Sequence, residues 1–204
     1  RVLFRSGYGG YDIWSSELNT DGTWASPVNL GPEINTAYDE QSPFIHSDNE
    51  SLYFSSNGWP GMGNKDLFLS RKIYSGDKQT GWQKPENLGF PINTFAEESG
   101  LSISNNGKYA FFSSNQKEGY GKLDIYSFEL PEKAKPKSVT YVKGKVFDTK
   151  TKEGLPSSVE LTDIMSRQLI SKVQTDEEGN YLTTLPIGKD YAFNVNRKGY
   201  LFFS

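Results

Sequence analysis

Polar and apolar positions alternate along this chain in short bursts. Val2-Leu3-Phe4 and Tyr11-Asp12-Ile13-Trp14 flank a Ser6-Gly7-Tyr8-Gly9-Gly10 turn. The same order returns as a strand over 52–56, a Gly-rich connection over 57–64 and a strand over 66–71. It returns again over 109–114, 115–122 and 123–129. Aromatic and β-branched runs of this length, bounded by Gly, Asn and Ser, predict hairpin strands. Ser47-Asp48-Asn49-Glu50 and Asn105-Asn106-Gly107-Lys108 predict tight turns between strands, because such residues tolerate left-handed backbone. No stretch carries a 3.6-residue apolar period, so no helix is predicted.

These bursts recur in register. Trp24-Ala-Ser-Pro27-Val-Asn29-Leu30-Gly31 returns as Trp82-Gln-Lys-Pro85-Glu-Asn87-Leu88-Gly89, and Ile34-Asn35-Thr36 as Ile92-Asn93-Thr94. Leu52 to Asn57 returns as Ala110 to Asn115, and Asp66-Leu67-Phe68 as Asp124-Ile125-Tyr126, all at one offset of 58 (82 − 24, 124 − 66). Leu3 to Ser6 and Tyr11 to Trp14 form a third, partial copy. A repeat of this length marks propellers and solenoids, and about four short strands per copy match a propeller blade. The expected fold class is therefore all-β: a partial β-propeller of four-stranded blades over residues 1–130, followed by a small antiparallel β-sandwich. A compact blade takes roughly 40–45 residues, so the excess is assigned to a loop at Tyr74–Gly81. Closure takes roughly 4–8 blades, so further blades are expected upstream or from another chain.

At Pro131-Glu132-Lys133-Ala134-Lys135-Pro136-Lys137-Ser138 the repeat stops, and residues 131–138 read as an extended, semi-rigid linker. Over 139–204, short runs alternate with turns such as Asp176-Glu177-Glu178-Gly179 and Pro186-Ile187-Gly188, the pattern of a sandwich. Tyr200 to Ser204 reads as a strand that stops partway. With Arg1 falling inside a repeat, the chain reads as a piece of a longer precursor.

Composition narrows the partners. A net charge of -3 argues against a nucleic-acid footprint. Mean hydropathy of -0.63 with 14% aromatics fits a β protein that packs through rings rather than aliphatic helices. The absence of cysteine removes disulfides and thiolate metal sites. There is neither a signal peptide nor an apolar run long enough to span a bilayer.

The motif Asn-Leu-Gly-x-x-Ile-Asn-Thr, followed by the aromatic-Phe-Ser-Ser-Asn strand and the Gly-x-Gly-x-x-Asp-(Ile/Leu)-aromatic strand, resembles the PD40, or TolB-like, propeller repeat of OmpA-family proteins of Bacteroidota. Residues 139–204 resemble the carboxypeptidase regulatory-like domain. Gly144, Val146, Asp148, Gly154, Pro156, Val159, Asp176, Gly179, Tyr181, Pro186, Gly188, Tyr191 and Tyr200 lie on its pattern, and Ser157-Ser158 departs from its usual Gly-Ala. PorE-type components of the type IX secretion system are built on the same plan. The resemblance implies a periplasmic lipoprotein, lipid-anchored at the outer membrane. It would contact envelope proteins and bind peptidoglycan through an OmpA-type domain beyond Ser204, with no wall-binding residue inside this chain.

Candidate chemistry is sparse. His46, the sole histidine, aligns with Ser104 and reads as a surface strand end, which leaves a triad or zinc site little to work with. Asp39-Glu40 and Glu97-Glu98 could serve glycoside hydrolysis or Ca²⁺ binding, but a pair recurring in each copy reads as structural. Asp12, Asp66 and Asp124 read as acceptors for turn amides. Gly7-Tyr8-Gly9, Gly61-Met62-Gly63 and Gly119-Tyr120-Gly121 lack a third glycine and a following helix, so no phosphate loop is expected. Trp24 and Trp82 read as packing between blades, unlike the unrepeated Trp14. Trp59-Pro60 with Met62 reads as an exposed apolar contact for a partner. No catalytic, cofactor or metal residue is assigned. The expected function is a non-enzymatic scaffold, with an accessory propeller of a secreted peptidase or glycan-active enzyme as the alternative.

Overall fold

The computed structural model describes residues 1–17, 19, 23–76, 78–116, 119–197 and 199–200. Among them the elements are sixteen strands and one 3-10 turn. No described helix is long and apolar enough to cross a membrane. The chain divides into two compact units, Arg1–Lys137 and Ser138–Ser204. All named strand pairs are antiparallel, and no sheet closes on itself. The fold is thus all-β.

The first unit holds three sheets. Sheet 1 is β1 (Val2–Ser6), β2 (Tyr11–Ser15) and β3 (Val28–Asn29). Sheet 2 runs β4 (Glu40–Ile45), β5 (Ser51–Ser56), β6 (Asp66–Ser75), β7 (Lys78–Trp82), with β8 (Glu86–Asn87) also on β6. Sheet 3 is β9 (Glu98–Ile103), β10 (Tyr109–Ser114) and β11 (Asp124–Glu129). The expected loop at Tyr74–Gly81 is instead largely a hairpin, with Ile73 opposite Gly81 and Ser75 opposite Lys78. Gly76, at φ +58, supplies the left-handed turn that lets β6 run on into β7.

The repeat is visible in the pairing. Ser56 faces Asp66 as Ser114 faces Asp124, and Phe54 faces Phe68 as Phe112 faces Tyr126. Those ring pairs sit 5.9 and 5.7 Å apart. The strands β4 and β9 carry the same irregularity, with positive φ at Ser42 (49) and Gly100 (66). Two cores follow. Leu52, Phe54 and Phe68 pack with Ile13 and Ile34, so sheet 2 meets sheet 1. Tyr53, Leu67 and Leu69 pack with Leu101, Ile103, Ala110 and Phe112, so it meets sheet 3 on its other face. Every residue of β5 is therefore buried, which explains its unbroken apolar run Leu52-Tyr53-Phe54. Each fully buried ring or leucine there contributes roughly 1.5–3 kcal/mol.

Residues 131–137 are not a free spacer. A 3-10 turn, Glu132–Ala134, buries Ala134 in the sheet 2 and sheet 3 core. The Tyr53 hydroxyl donates to Ala134 O (2.6 Å), Arg71 donates to Lys133 O and Lys135 O, and the Lys137 amide donates to Asp48 (2.9 Å). A Pro- and Lys-rich composition suppresses regular structure, but it leaves backbone carbonyls free to accept such anchors.

The second unit pairs β12 (Val139–Lys145) with β15 (Asn180–Pro186). It also sets β13 (Ser158–Asp163) between β14 (Leu169–Gln174) and β16 (Tyr191–Asn196). Alternate residues of β13, Val159 and Leu161, are buried with Leu185 from the other sheet, which is the core of two facing layers. Of the predicted terminal strand, Tyr200 to Ser204, Tyr200 lies at a bend, and residues 201–204 fall outside the described residues.

Candidate functional site

The polar residues that recur in the sequence converge at the junctions between sheets. Asn35 lies in the connection from β3 to β4. Its Oδ1 accepts the Ile13 amide (2.7 Å), while its Nδ2 donates to Ile13 O (3.0 Å) and to Asn29 Oδ1 (2.8 Å). Asn93 repeats this on Leu67 and Asn87, at 2.8, 2.9 and 2.7 Å. Both side chains are buried, and each acts as a one-residue strand on the edge of β2 or β6. Asn29 and Asn87 in turn accept the amides of Gly31 and Gly89, each at 2.8 Å. The sequence alone assigns these asparagines no role. Their recurrence at one offset is the signal that marks them.

The acidic pairs divide. Glu40 and Glu98 are fully buried. Glu40 Oε1 accepts the hydroxyls of Thr36 (2.8 Å) and Ser56 (2.6 Å), and its Oε2 accepts the Thr36 amide (2.8 Å). Glu98 accepts the same three donors from Thr94 and Ser114. Asp39 accepts the Tyr11 amide (2.9 Å), whereas Glu97 lies 3.4 Å from Lys65. The Asp39 and Glu97 amides go to Asn57 and Asn115. Both oxygens of each glutamate thus accept hydrogen bonds from the residues of the junction.

Asp12, Asp66 and Asp124 each accept turn amides: Tyr8 for the first, Met62 and Gly63 for the second, Gly121 for the third. A Cβ on Gly7, Gly61 or Gly119 would collide with the Asp carboxylate, so the first glycine of each Gly-x-Gly turn is fixed by that contact.

His46 corrects the surface reading. It is buried, beside Phe44 and the Asp48 turn, and Asp48 in turn takes the Lys137 amide. Ser51, Asp48 and His46 bring together the residue types of a hydrolytic triad, but the wiring is wrong for one. The Ser51 hydroxyl donates to Asp48 Oδ2 (2.8 Å) and not to the imidazole, whose Nδ1 accepts the Asp48 amide (3.2 Å). Burial pushes the Asp48 carboxyl up, yet the neighbouring His46 ring and hydrogen bonds from Ser51 and Glu50 hold it well below the usual carboxylate range.

The tryptophan readings also change. Trp82 is buried between sheets as expected, but Trp24 is 51% exposed. Trp59 is half-buried against the sheet 1 and sheet 2 core and donates its indole N–H to Ile34 O (2.8 Å), so it is not an exposed anchor. Pro60 and Met62 beside it are exposed. No grouping of three or more His, Cys, Asp or Glu side chains suited to a metal ion exists among the described residues. Comparison with protein-family models, with curated proteins and with solved structures gave no match.

Proposed function

We propose that the first unit is the C-terminal part of a β-propeller and that the protein is a non-enzymatic scaffold. On this reading it works in the bacterial periplasm, associated with the outer membrane, and holds envelope proteins to peptidoglycan through an OmpA-type domain outside these residues. One observation carries the propeller half: successive sheets are stitched by equivalent bonds. The Gly10 amide donates to Tyr38 O at 3.1 Å, and the Asn64 amide donates to Ala96 O at 3.1 Å. Within each sheet the outer strand is tied on alike, Leu30 N bonding Ile13 O as Leu88 N bonds Leu67 O. A step between sheets that repeats itself generates a ring or a solenoid, and small antiparallel sheets, here of three, five and three strands instead of the expected four, favour the ring.

The scaffold half rests on where the recurring carboxylates and asparagines spend their bonding capacity, which is inside the junctions. Non-enzymatic work of this kind is done by surfaces. The test is a peptidoglycan co-sedimentation assay with the protein as its host makes it. Retention with the insoluble wall across a range of salt is expected. Loss of retention at every salt concentration, together with hydrolysis of a peptide or glycan substrate, would overturn the reading in favour of an accessory propeller.

A further inference from the structure

Among the described residues, sheet 3 lacks the outer strand that sheets 1 and 2 have. In sheets 1 and 2 the strand after the Gly-x-Gly turn, β2 or β6, receives a short outer strand, β3 or β8, with Trp14 opposite Asn29 and Phe68 opposite Asn87. The asparagine hook then follows, closing on Ile13 or Leu67. The equivalent strand in sheet 3 is β11, which pairs with β10 alone among the described residues. The residues that directly follow it, 130–137, are engaged elsewhere. Leu130 stays on Lys108 O, and Pro131 leads into the 3-10 turn held by Tyr53 and Arg71.

The face beside that edge is bare where its equivalent is covered. Tyr53 and Leu67 are fully buried beneath sheet 3, whereas Phe111 and Ile125, one repeat later, are 45% and 83% exposed. Leu123, at the position of Lys65, is exposed too. An unpaired strand edge next to an apolar face is a site for strand addition.

We infer that the edge of β11, with Phe111 and Ile125, is a docking site for a strand of the repeat's own chemistry, Asn-Leu-Gly-x-x-Ile-Asn-Thr. The occupant is specified by the interface already formed twice. Its Asn-Leu pair adds to Tyr126, its second asparagine closes on the Ile125 amide and carbonyl, and its isoleucine covers Ile125. A second copy of this chain offers a poorer fit. The exposed end of its sheet 1 presents β1 and β2, without the hook that precedes β4 and β9. The inference rests on reading the three sheets as consecutive repeats.

The probe is a synthetic peptide of this chain's own Pro85–Glu98, added to the 204-residue protein while amide hydrogen exchange is followed. Without peptide, Ile125 exchanges far faster than Leu67, whose equivalent amide is held by Asn93. Saturable binding that slows exchange at Ile125 and leaves Leu67 unchanged is expected. Asn93→Ala in the peptide, which deletes three hydrogen bonds, weakens binding by about tenfold or more. Ile125→Asp in the protein abolishes it without altering exchange at Leu67, which certifies the fold. Absence of binding with Leu67 still protected overturns the proposal, as does equal binding of a scrambled peptide. Protection of Ile125 without peptide in a chain that sediments as a dimer overturns it in favour of a second copy. Each of these results leaves the peptidoglycan assay unaffected, so the two readings fail separately.

Discussion

Replacing Glu40 with glutamine separates an architectural carboxylate from a reactive one. The side chain is fully buried and accepts three hydrogen bonds, two from hydroxyls and one from the Thr36 amide. A glutamine can still offer its carbonyl to the amide, which cannot turn away. Its NH2 must then be accepted by Thr36 and Ser56, whose hydroxyls can rotate. Three charge-assisted bonds become neutral ones, and bonds to a charged group are worth about 1.5–3 kcal/mol against roughly 1 for neutral pairs. After relaxation the net loss is about 2 kcal/mol, and Glu40→Ala, which strands all three donors, costs about 4 kcal/mol. For a unit of this size that corresponds to a fall in Tm of roughly 4–8 °C for the glutamine. Tryptophan fluorescence during denaturation isolates the effect, because all four tryptophans (Trp14, Trp24, Trp59 and Trp82) lie in the first unit. Glu98→Gln should behave alike, while Asp39→Asn, which keeps an acceptor for Tyr11, should change stability by under about 0.5 kcal/mol. A reactive carboxylate behaves oppositely, since removing one is commonly neutral or stabilising. An unchanged or raised midpoint for Glu40→Gln refutes the argument.

Three further outcomes follow from the same contacts. Asp48 titrates lower in the folded state than its unfolded value of about 3.9, so its stabilisation is present above that pH and is lost as pH falls below it. Asp48→Asn should therefore flatten the acid limb of a stability–pH curve below about pH 4, and parallel limbs would contradict this. Ser42 sits at φ +49 where the other copy has Gly100, so Ser42→Gly should stabilise by about 0.5–1 kcal/mol and Gly100→Ala should destabilise; chemical denaturation checks both signs. Trp59→Phe should cost about 1 kcal/mol through the lost bond to Ile34 O, and a variant that keeps full stability yet loses a pulled-down partner would restore the exposed-anchor reading.

What was legible in the sequence was what each copy does locally. Runs such as Leu52 to Ser56 bounded by Asn and Gly name a strand and its turns, so the all-β class and most strand positions could be read directly. Contacts made across distance could not. His46 looks exposed from its own neighbours, yet it is buried beside Phe44 and an Asp48 turn that also takes the distant Lys137 amide. The Pro- and Lys-rich run reads as a spacer because composition carries no record of Tyr53 and Arg71 waiting to bond it. Equivalence in sequence also concealed inequality of place. Trp24 and Trp82 share a motif, but only Trp82 is buried, and Leu67 and Ile125 share a motif, but only Leu67 has a sheet over it.

The most direct test of the architecture is an experimental structure of the protein as its host makes it. The account predicts that the rotation carrying sheet 1 onto sheet 2 also carries sheet 2 onto sheet 3, continues through further sheets about one axis, and leaves Phe111 and Ile125 covered. Sheets arranged about no common axis, with that face of sheet 3 open to solvent, would contradict it.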